Sequence, residues 1–313
     1  MERYDLVIIG GGIQGVGIAR DAALRGLRVA LFERADFGGG TSSRTSRLIH
    51  GGIRYLENLR LGLVREALEE RSLLLRLAPH LVWPLPFLLP FYRSAPRPPW
   101  YLGAGLLLYG ILAGRHRIGP TRFLSSRKAL ALEPTLPADG LQGAGLYWDA
   151  QMNDARLCLE NALDAAALGA DLHPHHEIVS IERAPGAVRV RARDLLAPDA
   201  DYVEAEAPAV VNAAGAWVDR VRERAGIRGR RAVRASRGVH LVVPALTGAH
   251  ALALTARRDR RVFFVLPCAE GSIVGTTETE FKGDPDECVP TVGDVRYLLD
   301  EVHARWGTSV RFP

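Results

Sequence analysis

Lysine is nearly missing from this chain: Lys128 and Lys282 are the two lysines among forty Lys and Arg residues, so its positive charge is carried by arginine. Cysteine and methionine are scarce too, at three and two in 313 residues. Cys158, Cys268 and Cys288 are far apart and form no Cys-x-x-Cys pair. That excludes a zinc ribbon and a disulfide framework, and it fits a reducing cytosol. The cluster His173, His175 and His176 has no companion group of ligands in the sequence, so a strand edge is preferred there and no metal is expected. Zinc-finger, homeodomain and RNP-type patterns are absent, which argues against nucleic acid. No uncharged run reaches the roughly 20 residues needed to span a bilayer. The apolar run Trp100–Gly114 reads as a buried helix or a membrane-surface element, with burial favoured. The start, MERYDLVIIG, enters a strand-like run directly, with no signal-peptide pattern. There is no internal repeat.

What is present is ordinary globular composition, 48% hydrophobic and 24% charged, enough for two domains. The net charge of +5 and the arginine clusters at 220–237 and 257–261 read as solvated faces, or as surfaces for an anionic substrate, cofactor phosphate or lipid. Along the chain, apolar runs at 5–9 and 28–32 flank a glycine turn and a helical pattern, the size of a βαβ unit. A Gly/Ser/Thr-rich loop at 34–52 precedes a helix expected over Arg54–Leu77. The prolines at 79–90 predict extended chain, and helices are expected near 101–112, 153–169, 216–226 and 291–306. Strands are expected at 177–182, 187–193, 202–206 and 210–215, with a meander over 239–281. The order predicts an α/β nucleotide-binding domain interrupted by segments of a mixed β-rich domain.

Gly10, Gly12 and Gly15 form G-x-G-x-x-G between the first strand and first helix, with Glu33 at the end of the second strand. Glycines there allow a tight turn, close approach to a pyrophosphate and tight helix–strand packing, and the helix N-terminus faces the phosphates. A carboxylate at the second strand's end accepts hydrogen bonds from a ribose. Thr41, Ser42, Ser43 and Ser46 supply hydroxyls in the following loop, and His50, Gly51, Gly52, Arg54 and Tyr55 come next. Paired glycines let backbone lie against a flat ring, and the alternative reading is a glycine hinge opening a helix.

The run DLVIIGGGIQGVGIARDAALRGLRVALFE followed by TSSRTSRLIHGGIRYLE resembles the FAD-dependent glycerol-3-phosphate dehydrogenase family, within the glycine oxidase and D-amino-acid oxidase superfamily. The resemblance continues through APHLVWPLPFLLP, DARLCLENA, VNAAGAWVD, SRGVHLVVP, RVFFVLP and GTTETEFKGDP, covering nearly the whole chain. It implies an α/β fold in which a Rossmann-type FAD-binding domain (1–80 and 150–230) is interleaved with a mixed β-rich substrate-binding domain (81–149 and 231–313). It also implies that Gly10, Gly12, Gly15 and Glu33 hold the ADP half of FAD. Thr41, Ser42, Ser43 and Ser46 would touch the pyrophosphate or lie near the flavin, and Ala213, Ala214 and Gly215 would form a small-residue turn over the cofactor. Arg54 and Tyr55 would face the substrate, with His240 and Thr276 beside it.

The implied reaction is oxidation of sn-glycerol 3-phosphate to dihydroxyacetone phosphate, with hydride passing to the flavin and electrons to quinone. His240 is a candidate for the base; a satisfied strand histidine is the alternative. Expected partners are the phosphate substrate, quinone and an anionic membrane at the cytoplasmic face, with a homodimer left open. The rival readings are an oxidase using oxygen, and a non-catalytic fragment. The family's chains continue with a GVRPL-like segment, a GGKLTTYR-like flavin segment and a helical C-terminal domain, none of which this sequence contains. Weak retention of FAD is expected on that ground.

Overall fold

The computed structural model describes residues 1–95 and 97–306. They form two compact units, the first made of residues 1–45, 153–235 and 281–287, the second of the described residues within 46–152, 236–280 and 288–306. The turn and helix within 46–80, grouped with the FAD-binding domain by the resemblance, belong to the second unit by their packing.

In the first unit, the strands Ala209–Asn212, Leu6–Ile9, Val29–Phe32 and Asp171–His173 pair in that order, all parallel. Both apolar runs are continuous because the sheet is covered on both faces. Val7, Ile9, Ala30 and Phe32 pack on Ile178, Val190 and Ala205 of a second, mainly antiparallel sheet. Ile8, Val29 and Leu31 face the helices Ile13–Leu24 and Asp154–Ala167. Alanines 19, 22, 23, 162 and 165 let those two helices share one core. Of the histidine cluster, His173 ends the edge strand Asp171–His173, where it stacks on Phe32 at 4.6 Å, and His176 opens the strand His176–Ala184. Among the described residues, no group of three or more His, Cys, Asp or Glu is arranged to hold a metal ion.

Segment 281–287 is clasped to the first unit by charge. Arg220 bonds both Asp284 (2.6 Å) and Asp286 (2.8 Å), and Arg34 and the Trp217 indole also donate to Asp286. Much of the arginine cluster at 220–237 is thus engaged within the fold, since Arg222 pairs with Asp219, Arg224 with Glu177 and Arg237 with Asp294. The Arg220 hydrogen bond, helped by Arg34 and Trp217 against partial burial, holds the Asp286 carboxyl at about 2, below its ordinary 3.8. A depressed carboxyl stabilises the fold above its unfolded value and loses that contribution as pH falls through the folded one. Asp286→Asn should therefore melt slightly lower than wild type at neutral pH and lose stability less steeply between about pH 4 and pH 2. Because the carboxylate is 35% exposed, screening keeps the neutral-pH effect to about 1 kcal/mol or less, readable in thermal melts.

The second unit is built on an eight-stranded mixed sheet. Its path runs His240–Val243, Gly271–Gly275, Val262–Cys268, Ala251–Thr255, Val82–Tyr92, Leu141–Met152 and Leu48–Ile49, with Arg122–Ser125 also on Leu141–Met152. Pro84, Pro86 and Pro90 are tolerated in the middle of this sheet because their even spacing puts the missing N–H groups on one edge of the strand. The other edge pairs with Leu141–Met152 along its length, with one register shift between Phe91 and Tyr92, while Ala251–Thr255 pairs only at Phe87 and Leu88. One face packs on Leu298 and Val302 of the Val292–Trp306 helix, the other on Val64, Leu68, Leu106 and Tyr109.

Two expectations change. The helix predicted from Arg54 is broken: residues Ile53–Asn58 form a 3-10 turn, Leu59 turns left-handed (φ 53°), and the α-helix runs Leu61–Leu77. In the 239–281 region three strands follow as a meander, but His240–Val243 pairs with the last of them, Gly271–Gly275. The apolar helix Pro99–Ala113 is buried on the face of Gly103, Leu106, Tyr109 and Gly110, yet exposes Trp100, Leu107 and Ile111 on the opposite one.

Candidate active site

The first unit presents a turn shaped for a dinucleotide. Gly10 has φ 109°, and a Cβ there would lie 2.6 Å from the Ala213 carbonyl oxygen. A Cβ on Gly15 would collide with the carbonyl oxygen of Gly10 itself. The helix Ile13–Leu24 begins at Gly12 without a side-chain cap, leaving its first N–H groups to an external acceptor. Ser42 Oγ accepts one of them, from Ile13 at 2.9 Å, which places a loop hydroxyl at the helix N-terminus. Glu33 fixes the turn: its two carboxylate oxygens accept the N–H groups of Gly11 (2.6 Å) and Ala35 (2.7 Å), and each keeps a further lone pair for a ribose hydroxyl. Ala213 donates its N–H to Ile9 and Asn212 Oδ1 accepts from Ala214, so Ala213–Gly215 closes against the glycine turn.

The loop behind this turn is anchored by a residue to which the sequence alone assigns no role. Asp154, at the N-terminus of its helix, accepts from both the N–H (3.1 Å) and the hydroxyl (2.7 Å) of Thr45. Thr41, Ser42 and Ser43 form a 3-10 turn, and Ser43 donates to the Gly40 carbonyl. Cys158 packs beneath, against Gly38 and the Gly11 carbonyl, and burial raises its thiol to about 11, so it is a packing group, not a nucleophile.

The second unit holds the remaining expected residues. Ser46 and His240, 194 positions apart, meet at 2.8 Å between Oγ and Nε2. His240 lies opposite Gly275 in the strand pairing, where a Cβ would crowd the imidazole at 2.6 Å, and Thr276 follows. The Thr276 hydroxyl donates to the Thr277 carbonyl. Gly51 and Gly52 lead into a second group: Gly52 is left-handed (φ 71°), the Tyr55 ring lies over it, and the Arg54 guanidinium sits 5.1 Å from the centre of that ring. Arg54 also donates to Tyr55 Oη at 3.3 Å while remaining exposed, a fork of donors turned outward. Contacts thus gather the residues into a Ser46–His240 set and an Arg54–Tyr55 set.

A third group escaped the sequence reading. Arg71, Asp149 and Tyr109 are fully buried and bonded together beneath Gly51. One signal was available: Arg71 falls at helical spacing on the same face as Val64 and Leu68, a charge on an apolar stripe.

Residues 5–311 match the family described as FAD dependent oxidoreductase. The glycerol-3-phosphate dehydrogenase of Mycobacterium leprae is 42% identical over 311 residues, 99% of this chain and 53% of that protein. The chain therefore spans about half the length of the curated relatives it matches. Among solved structures, the Bacillus halodurans glycerol-3-phosphate dehydrogenase complexed with FAD superposes with a TM-score of 0.78 at 31% identity, over 99% of this chain and 54% of that one. Glycine oxidase from Geobacillus kaustophilus, at 24% identity and a TM-score of 0.71 over 97% of this chain and 78% of that one, shares the fold. Taken with the glycine turn, its carboxylate and the two-sided parallel sheet, this match over nearly every residue places the chain in the FAD dependent oxidoreductase family.

Proposed function

We propose that this chain oxidises sn-glycerol 3-phosphate to dihydroxyacetone phosphate in an FAD-dependent reaction. The observation that carries the reading is the Ser46–His240 pair beside Thr276, in the unit that also presents Arg54 as a cationic fork. The relatives' names point to the same substrate. In this reading residues 1–45 and 153–235 serve the cofactor and residues 46–152 and 236–280 the substrate. The glycine turn fits FAD, since Gly10 and Gly15 keep it so tight against neighbouring backbone that no side chain is admitted there, and the helix start has no side-chain cap of its own. Gly10, Gly12, Gly15 and Glu33 would hold its ADP half, Thr41, Ser42 and Ser43 its pyrophosphate, and Ala213, Ala214 and Gly215 would close over it. When bound, the flavin supplies the acceptor for the hydride that leaves the substrate's secondary carbon.

The chain's own part is binding and proton transfer. Arg54 takes the phosphate through paired N–H donors, with Tyr55 Oη close beside them. His240 takes the proton of the secondary hydroxyl, and the Ser46 hydroxyl on Nε2 fixes the orientation of the ring. Thr276, on the turn after Gly275, borders the same hydroxyl.

Quinone is the proposed electron acceptor, and a peripheral site on the cytoplasmic face of an anionic membrane the proposed location. Exposed Trp100, Leu107 and Ile111 on an otherwise seated helix support that reading. No helix among the described residues is long and apolar enough to cross a membrane. FAD-supplied chain should turn over glycerol 3-phosphate with a soluble quinone analogue and leave glycerol, which lacks the phosphate, untouched. Arg54→Ala should raise KM for glycerol 3-phosphate by about 10–100-fold, the loss of one charge-assisted pair. Equal turnover of glycerol, or an unchanged KM, would refute the substrate assignment. Peroxide formed in step with product under air would move the acceptor to oxygen.

A further inference from the structure

Asp149, 2% exposed on the Leu141–Met152 strand, has three donors converging on one oxygen, Oδ1. They are Arg71 Nη1 at 2.5 Å, Tyr109 Oη at 2.7 Å and the Gly51 N–H at 3.1 Å. Arg71 is 1% exposed; its Nη1 also donates to the Trp148 carbonyl (2.8 Å) and its Nη2 to the His116 carbonyl (3.0 Å). A buried ion pair is weak evidence for stability, because well-packed apolar residues often serve as well. What this pair adds is a fixed acceptor for Gly51. The backbone there is pressed onto Tyr109 Oη and Leu68 so closely that a Cβ would collide with both.

From Gly51 the constraint runs outward in short steps. Gly52 is held in its left-handed turn, its carbonyl accepts the Tyr55 N–H at 2.8 Å, and the Tyr55 ring rests on its Cα. Arg54 in turn is held by Tyr55, through its ring and its hydroxyl. We propose that Asp149 is the positioning residue of the His50–Gly52 turn, and through it of Arg54 and Tyr55, with Arg71 and Tyr109 fixing its carboxylate. The proposal rests on reading Arg54 as the group that holds the substrate phosphate.

Two charge-neutral double variants separate positioning from bulk stability. Arg71→Met with Asp149→Leu removes both charges and the acceptor for Gly51, while Arg71→Met with Asp149→Asn removes the charges and keeps an acceptor oxygen. Hydrogen exchange over residues 48–56 and calorimetric binding of glycerol 3-phosphate are measured on the full chain. In the leucine variant, exchange at 51–55 should rise and affinity fall by about tenfold, the worth of one buried hydrogen bond and the order it imposes. The asparagine variant should restore both to within a few fold. Equal behaviour of the two variants overturns the proposal, as does exchange that accelerates equally across 61–77 and 141–152. If neither folds, Tyr109→Phe, which keeps the ring and removes one hydroxyl, must show the same localised loosening, and its absence overturns the proposal. Wild-type chain that fails to bind glycerol 3-phosphate refutes the substrate reading instead, and the exchange data still judge the turn.

Discussion

Gly15→Ala is expected to weaken FAD binding by at least about 100-fold, the loss of two or more charge-assisted hydrogen bonds. The added Cβ meets the Gly10 carbonyl oxygen, and the Ala213 methyl lies 3.5 Å away. Neither neighbour is the flexible end of a long side chain, so the helix Ile13–Leu24 must move off the sheet, an overpacking cost of about 1–3 kcal/mol. Its N-terminal N–H groups leave the position where a pyrophosphate would receive them. Gly17 provides the control, because a Cβ there meets nothing within 4 Å. Gly17→Ala should keep FAD affinity and gain up to about 1 kcal/mol from helix propensity. Quenching of flavin fluorescence on titration, with thermal melts of both variants, distinguishes the two outcomes. Wild-type affinity in Gly15→Ala would remove the glycine turn from the cofactor site.

His240→Asn should slow flavin reduction by glycerol 3-phosphate by about 10²–10⁴-fold, the range for loss of a general base. FAD affinity should stay within a few fold, because His240 lies in the second unit and the glycine turn in the first. Ser46→Ala should cost about tenfold through a less well-held imidazole, and Ser46→Thr should recover most of it. The two losses should not add: with the imidazole gone, Ser46→Ala should change little more. Anaerobic rapid-mixing rates decide the matter. A wild-type rate in His240→Asn would return His240 to the satisfied strand histidine it resembles in sequence.

Much of the first unit could be read from residues alone. DLVII and RVALF are continuous apolar runs because each strand is covered on both sides, so period and burial agree. The glycine turn was legible for the same reason, since each glycine answers a local steric demand. The second unit hid more. Its longest strand, Leu141–Met152, went unread because Gly143, Ala144 and Gly145 interrupt the β-forming pattern. They are small because other backbone and helix come close: a Cβ at Gly145 would collide with Leu106, and one at Gly143 would sit 2.5 Å from the Leu124 carbonyl. The break at Leu59 was invisible because leucine ordinarily continues a helix, and the left-handed residue is imposed by the turn that positions Tyr55. Ser46 and His240 could each be singled out by resemblance, but their pairing across 194 positions belongs to the fold. Asp149 sits in a stretch with no motif, and its importance follows only from the three donors that find it.

The most direct test of the account is anaerobic addition of sn-glycerol 3-phosphate to the chain supplied with FAD, followed by its visible spectrum. The account predicts that the bound flavin bleaches as one dihydroxyacetone phosphate forms per flavin, and that the bleaching vanishes in Gly15→Ala. Flavin that binds at wild-type affinity but stays oxidised at saturating glycerol 3-phosphate would contradict it.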